Sequence, residues 1–355
     1  MRWLLTHPGP NFSVADVLNG WEEALRELGQ DVRVYNLDDR LNFYEAAHLD
    51  TGAPAPEGGM VVKKALTHDE AIAMAARGVM DACYQWWPDV VLAISAFFLA
   101  PSLLELMRKR GHKIVLLHTE SPYQDESQLV RASHANINLL NDPVNLRDYQ
   151  RLGIPAYYMP HAYRPKLHHP GKLDYRLACD LSFVGTGYPS RIRFFSEMTT
   201  HPAMTSVQTL LAGNWMPLHD SDPDSPLLAL LVHEIERCLD NEQAVDLYRS
   251  SKLGINVYRR EAEDQHEGEG WALGPRELEM AATGLFYLRD PRPEGDELLP
   301  MLPTFTSPAD AAEKVKWWLA HDELRSEVAA KARAAVADRT FENNARQLLN
   351  WLEGL

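Results

Sequence analysis

Gly274-Pro-Arg-Glu-Leu-Glu-Met-Ala-Ala-Thr-Gly284, with the apolar Leu285-Phe-Tyr-Leu288 behind it, is the stretch on which the fold turns. Proline at the first helical position and glycine just past the last bracket a short helix. The apolar run after Gly284 reads as a buried strand. Glu277 and Glu279 put acid near the start of that helix. An acid there can accept hydrogen bonds from the two hydroxyls of a ribose, and the helix N-terminus favours phosphate. An ordinary helix–strand unit with a charged first turn has the same pattern, and the segment alone leaves both readings open.

The same alternation extends on both sides. Upstream, Asp180-Leu-Ser-Phe-Val184 is a predicted strand, Gly185-Thr-Gly187 a turn and 189–199 a helix. Strands at 207–211 and 252–256 and a helix over 241–250 follow, and helices over 309–320, 322–337 and 341–354 close the chain. The first half repeats the pattern with strands at 2–6, 32–35, 89–94, 113–117, 136–140 and 156–159. Its helices span about 14–29, 68–86 and 100–110, with another from Pro143 to about 152. Residues 50–60 read as a loop insertion. Strands separated by helices imply an α/β fold with doubly wound parallel sheets. His161-Ala-Tyr-Arg-Pro-Lys-Leu-His-His-Pro-Gly171 is aperiodic and reads as a linker. The expected division is 1–165, a linker over 166–178, 179–337, and a terminal helix over 338–355 packing back towards the first domain.

Composition narrows the function classes. The 355 residues are 45% hydrophobic and 24% charged, ordinary for a soluble globular protein. The net charge of −15 opposes broad nucleic-acid binding. Arg108-Lys-Arg110, the densest basic run, suits a helix C-terminus. Cys83, Cys179 and Cys238 lack metal-like or redox-like spacing. Asp222-Pro-Asp224 sits in a Pro/Ser/Asp-rich loop and reads as a turn. Met1-Arg-Trp-Leu-Leu-Thr6 reads as a first strand rather than a signal peptide, and no apolar run is long enough for a membrane helix. A cytoplasmic location is expected.

Gly185, Thr186 and Gly187 lie where a strand turns into a helix, so their backbone amides can approach a phosphate; a tight turn serves as well. Arg191 and Arg276 are candidates to neutralise a diphosphate, and Trp215 to line a base pocket. Surface salt bridges and core packing are the competing readings.

Four segments together resemble the nucleotide-binding half of GT-B glycosyltransferases, in the CgeB-like (spore-maturation) branch of bacterial and phage enzymes. They are Asp180-Leu-Ser-Phe-Val-Gly-Thr-Gly-Tyr-Pro-Ser-Arg191, Tyr248-Arg-Ser-Ser-Lys-Leu-Gly-Ile-Asn256, Arg276-Glu-Leu-Glu-Met-Ala-Ala-Thr-Gly284, and Phe305-Thr-Ser-Pro-Ala-Asp-Ala-Ala-Glu with Arg339-Thr-Phe-Glu-Asn-Asn-Ala-Arg-Gln-Leu-Leu349. The likeness covers 180–355 and is loose over 1–160, mainly in Thr119-Glu-Ser-Pro-Tyr123. It implies two Rossmann-like domains facing a cleft. It also implies a nucleotide-diphosphate sugar donor, most simply UDP-linked, with Arg or Lys in place of a metal and no resident cofactor.

Spacing to the glycine matches the family's ribose-binding glutamate at Glu279. Glu269 and Glu277 enclose the seven residues found between paired glutamates of many retaining relatives. Glu277, about 200° round the helix from Glu279, is expected to be solvated. Glu267 or Glu269 is then left for the donor sugar. The first domain would hold the acceptor, a protein, metabolite or glycan in preference to DNA. His7, Ser13, His118, Glu120 and His161 fall at or after strand ends, with His118, Glu120 and His161 the candidate bases. Retention of anomeric configuration is slightly favoured over inversion. A sugar-nucleotide epimerase and a non-catalytic nucleotide-sugar-binding module are the alternatives.

Overall fold

The computed structural model describes residues 1–7, 12–54, 59–262 and 270–354, apart from the side chains at 12, 13, 50 and 52. The expectations for Glu267 and Glu269, and for most of the His7–Ser13 loop, lie outside the described residues. The chain divides into two compact units, Met1–Met159 and Pro160–Leu355.

The first unit runs β1 (Arg2–Thr6), α1 (Phe12–Glu27), β2 (Asp31–Tyr35), α2 (Leu37–Glu45), β3 (His48–Pro54), β4 (Met60–Lys64), α3 (His68–Trp86), β5 (Val90–Ile94), α4 (Pro101–Lys109), β6 (Lys113–His118), α5 (Asp125–Ala132), β7 (Ile137–Leu140), α6 (Leu146–Arg151) and β8 (Ala156–Tyr158). Its sheet has the order β2-β1-β5-β6-β7-β8, parallel throughout. β5 is buried along its length because helices cover both faces, so its sequence is a continuous apolar run rather than an alternation. The expected loop over 50–60 is corrected at its ends, where β3 and β4 form an antiparallel pair, and its middle, 55–58, lies outside the described residues. Cross-strand hydrogen bonds satisfy a backbone whose Pro- and Gly-rich sequence concealed the pairing.

The second unit runs β9 (Cys179–Val184), α7 (Pro189–Thr200), β10 (Thr209–Ala212), α8 (Met216–Ser221), α9 (Asn241–Ser250), β11 (Ser251–Asn256), α10 (Pro275–Thr283), β12 (Tyr287–Arg289), α11 (Pro293–Leu298), α12 (Pro308–Leu319), α13 (Asp322–Ala335) and α14 (Phe341–Glu353). The sheet order β10-β9-β11-β12 is parallel, and the strand order reverses between β9 and β11. Ligands of doubly wound sheets bind outside the strand ends at such a switch point. α14 is tied to the start of its own unit: Asn344 Nδ2 donates to Pro160 O at 2.8 Å, and Tyr163 N to Arg339 O at 2.9 Å. The unit's core gathers Phe183, Phe195, Trp215, Tyr248, Phe286 and Tyr287.

Candidate functional site

The switch point is built from two loops. One follows β9, over residues 185–188, and the other follows β11, over residues 257–262. Arg191 on α7 joins them: its Nε donates to Val257 O at 2.8 Å and its Nη1 to Thr186 O at 3.1 Å. Its guanidinium also lies over the rings of Phe183 and Tyr188. Arg191 is 9% exposed, so the structure uses it first as a clamp between loops. Glu261 makes a second bridge, accepting from Ser190 N at 2.7 Å and Ser190 Oγ at 2.8 Å at the start of α7. Those hydrogen bonds hold its carboxyl below the usual range despite partial burial.

The glycine turn differs from its phosphate-cradle reading. Gly185 N donates to Ala212 O and Gly187 N to Asn214 O, each at 2.8 Å, so both amides are already engaged by the end of β10 and the loop after it. The glycines are needed for close packing. A Cβ on Gly187 would stand 2.6 Å from the Trp215 ring, and one on Gly185 would stand 2.7 Å from Phe183. Thr186, between them, is half-buried and gives its carbonyl to Arg191. Trp215 is a correction of the same kind. It is fully buried, donates Nε1 to Ala212 O at 3.3 Å, and meets Phe183 and Phe195 edge-on, so it packs the core rather than a base pocket.

The start of α10 is pinned by carboxylates. Leu273 N donates to Glu294 Oε2 at 2.7 Å, and Arg339 Nη2 reaches Glu294 Oε1 at 2.5 Å. Gly274 N is shared between Tyr258 Oη at 3.0 Å and Glu277 Oε2 at 3.1 Å. Tyr258 itself donates to Glu277 Oε2. The expectation that Glu277 is solvated is therefore wrong. It is 0% exposed, and desolvation raises its pKa from 4.5 to about 7 against the lowering pull of Tyr258, Gly274, Arg289 and Arg292. Part of the reason is local, since at the third helical position its side chain folds back to cap the amide that precedes the helix, and Tyr258 from the β11 loop supplies the rest. Arg292 lies 4.1 Å from the Tyr258 ring centroid, and Tyr258 N donates to Asp290 Oδ2 at 3.1 Å. Gly284 ends the helix at φ 83°, with Leu285 N returning to Met280 O at 3.0 Å.

Two further polar residues of α10, Glu279 and Arg276, are both half-exposed. The Arg276 side chain makes no hydrogen bond or ion pair among the described residues. A carboxylate oxygen of Glu279 lies within 4.8 Å of a ring nitrogen of His168.

The first unit's candidates divide. His118 is corrected: it is 2% exposed, bonded through Nε2 to Asn138 Oδ1 at 2.9 Å and packed on Tyr149, and burial pushes its pKa down to about 4. It stands inside the sheet rather than at a ligand surface. Glu120 is half-exposed just beyond β6, its amide donating to Gln128 Oε1 at 3.3 Å. His7 is 9% exposed, with its amide on Tyr35 O at 3.0 Å. Ser13 falls in the first turn of α1, and its side chain is outside the described residues. His161 opens the second unit; burial and then the Arg339 cation push it down to about 4. Sequence reasoning missed Tyr258, Asp290, Glu294 and Glu261. Each finds its partner on a different segment, so none belongs to a local motif.

A family described as glycosyl transferase-like matches residues 191–350. No curated protein sequence matches the chain significantly. Three solved structures show its fold. Sucrose-phosphate synthase from Thermosynechococcus elongatus superposes with a TM-score of 0.66 at 12% identity, covering 99% of this chain and 98% of that one. An E. coli protein described as trehalose-6-phosphate bound with UDP-2-fluoro glucose gives 0.64 at 11% identity, covering 100% and 99%. A protein described as a putative UDP-N-acetylglucosamine 2-epimerase from Listeria monocytogenes gives 0.62 at 13% identity, covering 99% and 95%. The chain has the GT-B fold, with Rossmann-like units.

Proposed function

We propose that this protein is a glycosyltransferase that moves a sugar from a nucleotide-diphosphate donor, UDP-linked, to an acceptor hydroxyl. The observation carrying the reading is the polar side of α10. Glu279 and Arg276 stand half-exposed on a helix whose start is locked by Glu277, Tyr258 and Glu294. Glu279 receives the ribose hydroxyls. Arg276 and the helix dipole carry the diphosphate charge, so stabilisation of the leaving group needs no metal. The glycosyl transferase-like match over 191–350 includes both residues. The CgeB-like branch and retention of configuration belong to the same proposal, as does a protein, metabolite or glycan acceptor. Glu120, half-exposed just beyond β6, is the first-unit acid assigned to position such an acceptor.

The test is incubation with a panel of nucleotide sugars, reading thermal shift and released nucleoside diphosphate. One donor is expected to stabilise the protein and to hydrolyse slowly, with both effects lost in Glu279→Ala. Conversion of the sugar without release of diphosphate would show an epimerase instead. No response to any donor would overturn the reading.

A further inference from the structure

The segment between the first unit and β9 does more than connect. Residues 164–168 form a turn closed by His168 N to Arg164 O at 2.8 Å. Arg249 on α9 grips that turn, donating Nη2 to Leu167 O at 2.9 Å and Nε to His169 O at 3.0 Å. A Cβ on Gly171 would stand 2.6 Å from Arg249 Nε, so the backbone there is held against the guanidinium. Pro170 lies 3.4 Å from where a Cβ on Gly284 would be, so the segment runs beside α10.

His168 is 2% exposed within this rigid frame. Its Nδ1 accepts the Arg164 amide at 3.1 Å, an atom that can only donate. A neutral ring whose Nδ1 accepts must carry its proton on Nε2. The ring is neutral: burial first, then the Arg164 cation, push its pKa down to about 3, and Arg249 and His169 act in the same direction. Nε2–H is therefore the ring's donor, and the Glu279 carboxylate on α10 is within 4.8 Å of the ring. Polar contacts of unliganded sites are commonly long and tighten when substrate binds.

We propose that His168 is a positioning residue for Glu279, its Nε2–H holding the carboxylate in the orientation that receives both ribose hydroxyls of a nucleoside diphosphate. This rests on the reading of Glu279 as the ribose ligand. A neutral imidazole suits the task because it orients the carboxylate without neutralising it. Outer partners of this kind commonly change affinity about 10-fold or more when removed.

The experiment measures Kd for UDP and for 2′,3′-dideoxy-UDP by calorimetry on the full chain. Wild type is expected to prefer UDP. His168→Phe is expected to lose about 10-fold of that preference while binding the dideoxy nucleotide as wild type does, which also reports an intact fold. His168→Leu replaces it should Phe not fold. His168→Gln, whose amide can both accept from Arg164 and donate to Glu279, should restore most of the preference. The wild-type preference should be flat from about pH 5 to 9, above the ring's depressed pKa. Undiminished preference in His168→Phe overturns the inference alone. Undiminished preference in Glu279→Ala overturns the ribose reading and the inference with it. A wild type that binds neither nucleotide overturns the proposed donor.

Discussion

Tyr258 gives its phenol proton to the Glu277 carboxylate, and both take a share of the Gly274 amide, so a fully buried acid fixes the first turn of α10. Arg289, Arg292, Tyr258 and Tyr287 are its charged and titratable neighbours. Glu277 has a native pKa of about 7 against an ordinary 4.5. An acid whose pKa rises on folding binds protons more tightly in the native state. Its contribution is present below the ordinary value and is lost as pH rises through the native one. The span corresponds to about 3 kcal/mol. Urea denaturation of wild type and Glu277→Gln should therefore diverge between about pH 5 and 8, with the variant gaining on wild type as pH rises. Parallel pH profiles would show that Glu277 stays ionised throughout.

The two glutamates of α10 show what the sequence could reveal. Helix bounds, the glycine stop and the strand behind it are local, and caps and periodicity predict them closely. Spacing to Gly284 singles out Glu279, which the structure leaves half-exposed, but the same reasoning sends Glu277 to water. The burial of Glu277 also depends on Tyr258, far back in the chain, whose ring is covered in turn by Arg292 from beyond the next strand. No period or short motif encodes such partners. The reading of Gly185 and Gly187 fails for a related reason: sequence shows that glycine is permitted, whereas only packing shows that Phe183 and Trp215 require it.

That packing yields a steric prediction. Gly187→Ala places a methyl group 2.6 Å from the Trp215 ring, which is fully buried and packed against Phe183 and Phe195. The expected cost is about 1–3 kcal/mol. Gly213→Ala should cost more, because its φ is 111° and its new Cβ would meet Gly185 O at 2.4 Å, a backbone atom. Urea midpoints measure both. A Gly213→Ala protein as stable as wild type would show that the turn can open.

Trp215 makes a separate case. Replacement by Phe removes the Nε1 bond to Ala212 O and leaves a gap beside Phe183 and Phe195. A loss of about 1–3 kcal/mol in stability is expected. Nucleotide affinity should stay close to that of wild type once the folded fraction is counted, since a fully buried ring offers no stacking face. A selective fall in affinity at unchanged stability would return Trp215 to the base pocket.

Arg191 distinguishes a clamp from a simple counter-charge. Its planar fork reaches Val257 O and Thr186 O together while lying over two rings. Lysine keeps the charge but has a single nitrogen and cannot make both bonds in that geometry. If Arg191 serves mainly to tie the β9 and β11 loops, Arg191→Lys should lose about 1–3 kcal/mol of stability. Diphosphate affinity should then fall in step with the loosened loops, and hydrogen exchange should quicken at 185–190 and 257–261 together. A variant with wild-type exchange but weaker diphosphate binding would mean that the guanidinium contacts the ligand directly and that the two carbonyls are secondary.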